Sequence, residues 1–430
     1  MGEDAFAGRS PESGRTETKE WTSLPPTGAL AGIRVVEFAV FAAGPVVGKH
    51  MAEHGAEVIR VESRSRPDGF RVHYPPFKDN RTGLNRGGTF AIFNNDVLSV
   101  TLNLKHPKGL ELAKELVHRA DLVIENFAPG VMERLGLSYE ELRKVNPELI
   151  MLSSCNQGQT GPRAPQRGFG SQLTSMSGFT HLSGYGDGQY PSLIYGPYID
   201  FIAVGYGLIA VMAALDYRRR TGKGQYIDLS QYEAGIQFII PALLDLQVNG
   251  NIQQPQANRD PHAAPHGCYP CKGEDQWCVI AVFDEAEWRT LCEVSGHPEW
   301  RTDPRFKDFS LRKANEDELD QAVATWTSGL EAGEVMDRLQ AAGVPAGVVY
   351  NVGDLFSCPQ LAYRGQWRQL EHPEIGPYEY EAPPFILSET PAEIRRPSPC
   401  IGEHNEYVFK ELLQLSQEEF ARLEADEVFR

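Results

Sequence analysis

The sequence is short of cysteine, of long apolar runs and of positive charge. Seven cysteines (155, 268, 271, 278, 292, 358 and 400) are scattered over 430 residues, an odd and sparse set that predicts free thiols in a reducing compartment. The longest apolar run, Phe201 to Leu215 between Asp200 and Asp216, falls well short of the ~20 residues that cross a bilayer and reads as a buried core helix. The first 27 residues hold no apolar segment followed by a small-residue cleavage site. Without a secretory signal the expected location is the cytoplasm. Acidic residues outnumber basic ones, giving a formal net charge of −17, which repels nucleic acid and anionic membranes over most of the surface. An anionic ligand therefore has to be met by a local basic pocket. A G-x-G-x-x-G fingerprint is also missing from the first strand-to-helix turn, Gly44-Pro45, so dinucleotide binding of the usual kind is not supported.

What is present suffices for a globular core: 41% of the residues are hydrophobic, and the length favours two or three domains. Residues 1–27 are rich in Gly, Ser, Glu, Thr and Pro and read as a flexible tail. Short apolar strands are expected at 33–38, 57–62, 121–125 and 149–153, alternating with helices over 44–54, 107–119 and 138–145, with Gly55 closing the first helix. Strands alternating with helices imply a parallel sheet with right-handed crossovers, an open Rossmann-like α/β domain. A further strand at 225–229 precedes a long helix from Ser230, and the chain ends in an amphipathic helix carrying Val408, Leu412, Leu413 and Leu415.

Two local clusters call for a bland reading. His262, His266, Cys268 and Cys271 have the number of ligands zinc takes, but Gly267 to Cys271 followed by Trp277 to Val282 reads as a hairpin whose alternate residues face opposite sides, and no metal is expected. The basic run Arg218 to Lys223 sits at a helix C-terminus, where cations complement the helix dipole.

Eight short segments, in order, resemble the class III CoA-transferase family. They are Leu30 to Phe38 with Ala43-Gly-Pro45, Gly55 to Glu62, Glu125-Asn-Phe-Ala-Pro-Gly130 with Arg134, Gly158-Gln-Thr-Gly-Pro162, Gly222-Lys-Gly-Gln225, Ala264-Pro-His-Gly267, Gly343-Val-Pro-Ala346 and Gly402-Glu-His404. The resemblance spans roughly residues 28 to 424. It implies a Rossmann-like large domain built from both chain ends plus a smaller α+β domain, in an interlocked dimer. The corresponding plan is 28–235 for the first part of the large domain, 236–262 as linker, 263–350 as small domain and 351–430 as the return segment. It also implies coenzyme A thioesters as substrates, held by Val40, Phe41 and Ala43 of the first loop, by Arg64, and by Asn126, Phe127 and Arg134.

Family chemistry is acyl transfer through an aspartate, which forms a mixed anhydride and then an aspartyl thioester. That aspartate precedes the serine of a Ser-Gly pair by seven residues, which here, counting back from Ser177-Gly178, is Gly170, preceded by Phe169. Between Glu148 and Asp187 there is no carboxylate at all, leaving Ser171 and Cys155 as nearby substitutes that do not give an anhydride. Cations common in the family are also absent: Asn94-Asn-Asp96 carries none, and Ser63 follows Glu62. The resemblance therefore implies a non-catalytic subunit paired with a homologous, aspartate-bearing catalytic subunit, moving CoA between an acyl-CoA such as succinyl-CoA and a carboxylic acid such as (R)-benzylsuccinate. Two alternatives stand beside it: a self-sufficient acyl-CoA racemase or isomerase using Asp200, Asp228 or Glu233, and a CoA-ester binding scaffold without catalysis.

Overall fold

The structure is a computed structural model that describes residues 28–186 and 190–430; the expected tail, 1–27, lies outside the described residues. Six parallel strands form the main sheet: β1 (Arg34–Phe38), β2 (Glu57–Glu62), β3 (Leu98–Thr101), β4 (Leu122–Glu125), β5 (Ile150–Cys155) and β6 (Tyr226–Ser230). Their order is β3-β2-β1-β4-β5-β6. The first five are buried along almost their whole length, as a sheet covered on both faces requires, with Glu37, Arg60, Glu62, Ser99 and Ser153 interrupting the Val, Ile and Leu. The order reverses between β1 and β4, so a crevice opens beyond their C-terminal ends, where doubly wound sheets bind ligands. This is the α/β sheet the sequence pattern implies, with elements displaced by one or two residues. The first helix runs Ala43–Glu53, and Gly55 takes a φ of 100° to end it.

Three expectations are corrected. The long helix from Ser230 is broken into Gln231–Ile236, a 3₁₀ turn at Gln237–Ile239 and Ile240–Asn249, because Pro241 has no N–H to continue the ladder. Residues 236–249, inside the expected linker, are thus helical. The single C-terminal helix is a π-turn, Tyr407–Leu412, then Gln414 at a φ of 62°, then a Ser416-capped helix, Gln417–Ala425. The apolar run is longer than it reads, since helix Tyr198–Thr221 continues through both Asp200 and Asp216. Among the described residues it alone is long and apolar enough, by length and composition, to cross a membrane; it packs on β5 and the Ala43–Glu53 helix.

One hydrophobic core unites Val36, Ile59, Leu116 and Met151 with Val408, Phe409, Phe420 and Phe429 from the far end of the chain. A separate core around Trp288, Leu291 and Val335 lies under an antiparallel sheet of β7 (His266–Pro270), β8 (Trp277–Ala281) and β9 (Ala346–Val348). Tyr269 turns inward there to donate a hydrogen bond to Asp320 at 2.8 Å. Among the described residues no three His, Cys, Asp or Glu side chains converge as metal ligands. A hairpin absent from the sequence reading, β10 (Trp367–His372) with β11 (Gly376–Glu381), docks on the helices of the large domain through the ion pair of Glu381 with Lys49 of the Ala43–Glu53 helix and through Tyr378 on the Gly88 carbonyl.

The last segment is latched by Asp96, the residue that stands where a cation was looked for. Asp96 adopts a φ of 61°, is buried, and accepts the amides of Arg395 and Arg396 at 3.0 Å each. Gly402 then donates its amide to Ser99, and Asn405 accepts that of Thr101, so the returning chain covers the β3 edge. Truncating Phe409 to alanine is expected to cost about 3–5 kcal/mol, read as a lower urea midpoint, because its ring stacks on Phe429 in the shared core. An unchanged midpoint would show that the returning segment docks without stabilising the sheet.

Candidate active site

The crevice is built first from the loop that leaves β1. Val40 donates its amide to Asn126 Oδ1 at 2.9 Å and its carbonyl accepts Asn126 Nδ2 at 2.7 Å, so one amide side chain after β4 clamps the tip of β1. Phe41 follows with a φ of 60°, a conformation costly for a non-glycine residue. It is held there by Asp68, whose Oδ2 accepts the Phe41 amide at 2.8 Å and also pairs with buried Arg60. The other oxygen of Asp68 accepts the Phe70 amide at 2.7 Å and caps the helix Gly69–Val72. Gly69 is required: a β-carbon there would overlap the Phe41 ring. Asp68 escaped the sequence reading, although Pro67-Asp-Gly69 is a turn signal that marks it.

An aromatic cluster forms around Phe41. Its ring meets Phe70, Tyr74 and Phe169 edge-on, at centroid separations of 5.3, 5.8 and 6.3 Å. Phe169 is 63% exposed, and it precedes the helix Gly170–Met176. Gly170 therefore opens that helix directly beside the β1 loop. Seven residues on, Ser177 is buried and donates to the Leu173 carbonyl at 2.7 Å, and Gly178 turns with a φ of 93°.

The space above Gly170 is already occupied. A β-carbon built on it would lie 2.6 Å from Asp200 Oδ1 and 2.7 Å from Asp200 Cγ, and would overlap the Pro197 β-carbon. Asp200 sits in the first turn of the Tyr198–Thr221 helix, and among the described residues no hydrogen bond to its carboxylate and no ion pair is found. Burial alone pushes its carboxyl up to about 7. The other carboxylates differ. Glu125 is pushed up to about 7 by burial as well, but accepts the Phe127 amide at 2.8 Å. Asp228 accepts the Gln159 amide at 2.9 Å, and Glu233 is an exposed first-turn residue of its helix.

Of the residues implied to hold CoA, Val40, Phe41, Ala43, Asn126 and Phe127 come together at the ends of β1 and β4. Arg64 and Arg134 make other contacts. Arg64 donates to the Ile401 carbonyl at 2.9 Å beside Gly402, and Arg134 is exposed, its guanidinium 3.0 Å from where a β-carbon on Gly130 would be. Cys155, one of the two substitutes near residue 170, is buried beside Glu125 and Asp228, and desolvation pushes its thiol up to about 12. As a thiol it is a poor nucleophile.

Two measurements test this geometry. Gly170→Ala is expected to destabilise the protein by about 1–3 kcal/mol, and Asp200→Ala to restore part of that loss. Purely additive effects in the double-mutant cycle would show that the two groups do not compete for one volume. The second test is pH. A carboxyl whose folded pKa is raised stabilises the fold below its ordinary range near 4, and that contribution is lost as pH climbs through about 7. Asp200→Asn should therefore gain on the unmodified chain between about pH 5 and about pH 8, by on the order of 1 kcal/mol after discounting for partial exposure.

Comparison with known proteins places the chain in a family. The profile of CoA-transferase family III matches residues 30–405. Succinyl-CoA–D-citramalate CoA-transferase of Chloroflexus aurantiacus is 32% identical over 409 residues, covering 95% of this chain and 100% of that one. The beta subunit of succinyl-CoA–L-malate CoA-transferase from the same organism is also 32% identical, over 95% of this chain and 98% of its own. Its alpha subunit is 32% identical over 97% of this chain and 92% of its own. Among solved structures, a CaiB/BaiF family protein from Brucella suis superposes with a TM-score of 0.82 at 31% identity, over 90% of this chain and all of that one. With its fold and nearly its whole length matched, this chain belongs to CoA-transferase family III and is an enzyme of that family.

Proposed function

We propose that this chain is one subunit of a heteromeric class III CoA-transferase whose partner is a homologue bearing aspartate at the position of Gly170. The observation that carries the reading is the filled volume over Gly170: neither a nucleophile nor room for one exists at that residue. Aspartate-borne transfer at that position then takes place on the partner. The β1 loop and Asn126 of this chain keep the shape for a CoA thioester, with Phe41 set by Asp68 and the Val40 backbone by Asn126. Relatives that work as named alpha and beta subunits support a two-component assembly.

The reaction moves CoA between a thioester and a free carboxylic acid. Succinyl-CoA as donor is supported by the names of several relatives. For the acceptor we propose an aromatic diacid of the (R)-benzylsuccinate kind, a reading favoured by the aromatic cluster of Phe41, Tyr74 and Phe169, the last of which directly precedes Gly170. The cytoplasm is the proposed compartment, in keeping with free cysteines throughout the described chain.

Purification from the source, with the chain assayed alone and together with its co-purifying homologue, tests the reading. Transfer from succinyl-CoA should run at least about a hundredfold faster with the partner than without it. A homomeric preparation with full activity would sink the heteromer.

A further inference from the structure

The space a side chain at residue 170 would enter is not empty but holds a carboxylate from another element, and no cation or donor among the described residues engages it. We propose that Asp200 is the acyl-accepting carboxylate of this chain's own pocket, supplied from the Tyr198–Thr221 helix instead of the Gly170–Met176 helix. The proposal goes beyond the heteromer reading and does not depend on it. It gives the assembly two unlike sites, one with its carboxylate at the position of residue 170 and one with it at Asp200.

Three observations support the assignment. The carboxyl oxygen lies 2.6 Å from the point where the side chain of residue 170 would begin, so a thioester seated along the β1 loop meets it within a few ångströms of that position. Asp200 is only partly buried, and exposed Phe169 and the Phe41 ring flank Gly170 below it, so a substrate has access. Its rivals are engaged elsewhere: Asp68 with Arg60 and two amides, Glu125 with the Phe127 amide, Asp228 with the Gln159 amide and Glu62 with Arg71. An unpaired, desolvated carboxylate is more basic and so more reactive towards a carbonyl than an ion-paired one, in line with the upward push that burial gives this group.

The steps balance without any oxidant or net proton. An Asp200 oxygen adds to the thioester carbonyl carbon, forming C–O as C–S breaks, and CoA leaves as thiolate with the bonding pair. The thiolate then attacks the Asp200 carbonyl of the anhydride, releasing the donor acid as carboxylate and leaving an aspartyl thioester. The acceptor carboxylate displaces CoA from that thioester, and the returning thiolate takes the acceptor acyl group and frees Asp200.

The test is run on this chain alone and on its assembly with the homologous partner, whose aspartate is replaced by alanine so that only this chain can be labelled. Succinyl-CoA is added, and hydroxylamine is used to convert any anhydride or aspartyl thioester to a hydroxamate that peptide mass spectrometry locates. The expected result is a hydroxamate at Asp200, lost in Asp200→Asn and in reactions without succinyl-CoA, with residual transfer falling about tenfold or more in that variant. Thermal melting and succinyl-CoA binding of Asp200→Asn, compared with the unmodified chain, separate lost chemistry from lost folding. The absence of a hydroxamate on this chain, whether succinyl-CoA binds or not, overturns the proposal. Label on Asp200 with the chain fully active by itself sustains it while sinking the heteromer; no label on this chain, with label appearing on the partner once its aspartate is restored, does the reverse.

Discussion

A β-carbon and a carboxylate cannot occupy one volume, and the active-site end of this molecule is arranged around that exclusion. With glycine at 170, the first turn of the Gly170–Met176 helix lies against Pro197 and Asp200 so closely that a β-carbon there would force one of them to shift. The start of the Tyr198–Thr221 helix thereby packs against Gly170, and its acidic first-turn residue is carried there with it. An ionised carboxylate normally gains at a helix start, but loss of water opposes that gain here and leaves the group near neutrality. Glycine at 170 is therefore more than a deletion of chemistry. It is the condition under which the present packing exists.

Behind the crevice lies a set of buried charges that sets its outline. Arg60 on β2 pairs with Asp68 and stands 3.5 Å from Glu37 on β1, and Arg71 makes a two-pronged pair with Glu62 on β2. Such pairs are costly to desolvate and contribute geometry more dependably than net stability. Glu37, pushed up to about 7 by burial despite Arg60, shows the imbalance. What the network delivers is position: Asp68 spends its oxygens on two backbone amides and a guanidinium, and Phe41 is held in a backbone conformation it would not choose alone.

Much of the frame was legible because it depends on local patterns. Apolar runs bounded by Gly, Pro and Ser marked the strands of the sheet, and Ser138 and Gly55 marked helix ends by capping chemistry. Residue 170 was legible only through motif spacing, and the sequence could say that a carboxylate was missing there without saying what filled the gap. Asp200 is thirty positions along the chain from it, and only the packing of two helices brings them together. For the same reason Asp96 read as a lost cation, when its acidity serves to receive the amides of Arg395 and Arg396. The β10–β11 hairpin, half-buried and rich in charge, offered no clean alternation to read.

The latch at Asp96 has a consequence for biosynthesis. Residues made early, β1 to β3, share a core with Val408, Phe409, Phe420 and Phe429, which the ribosome adds some three hundred positions later. Until then the β3 edge lacks its cover and the nascent sheet presents unfilled apolar surface, a state in which chaperones or a homologous chain emerging nearby compete for the same contacts. A sheet whose edge is covered only by the returning segment is thus exposed to interception for as long as that segment has still to arrive.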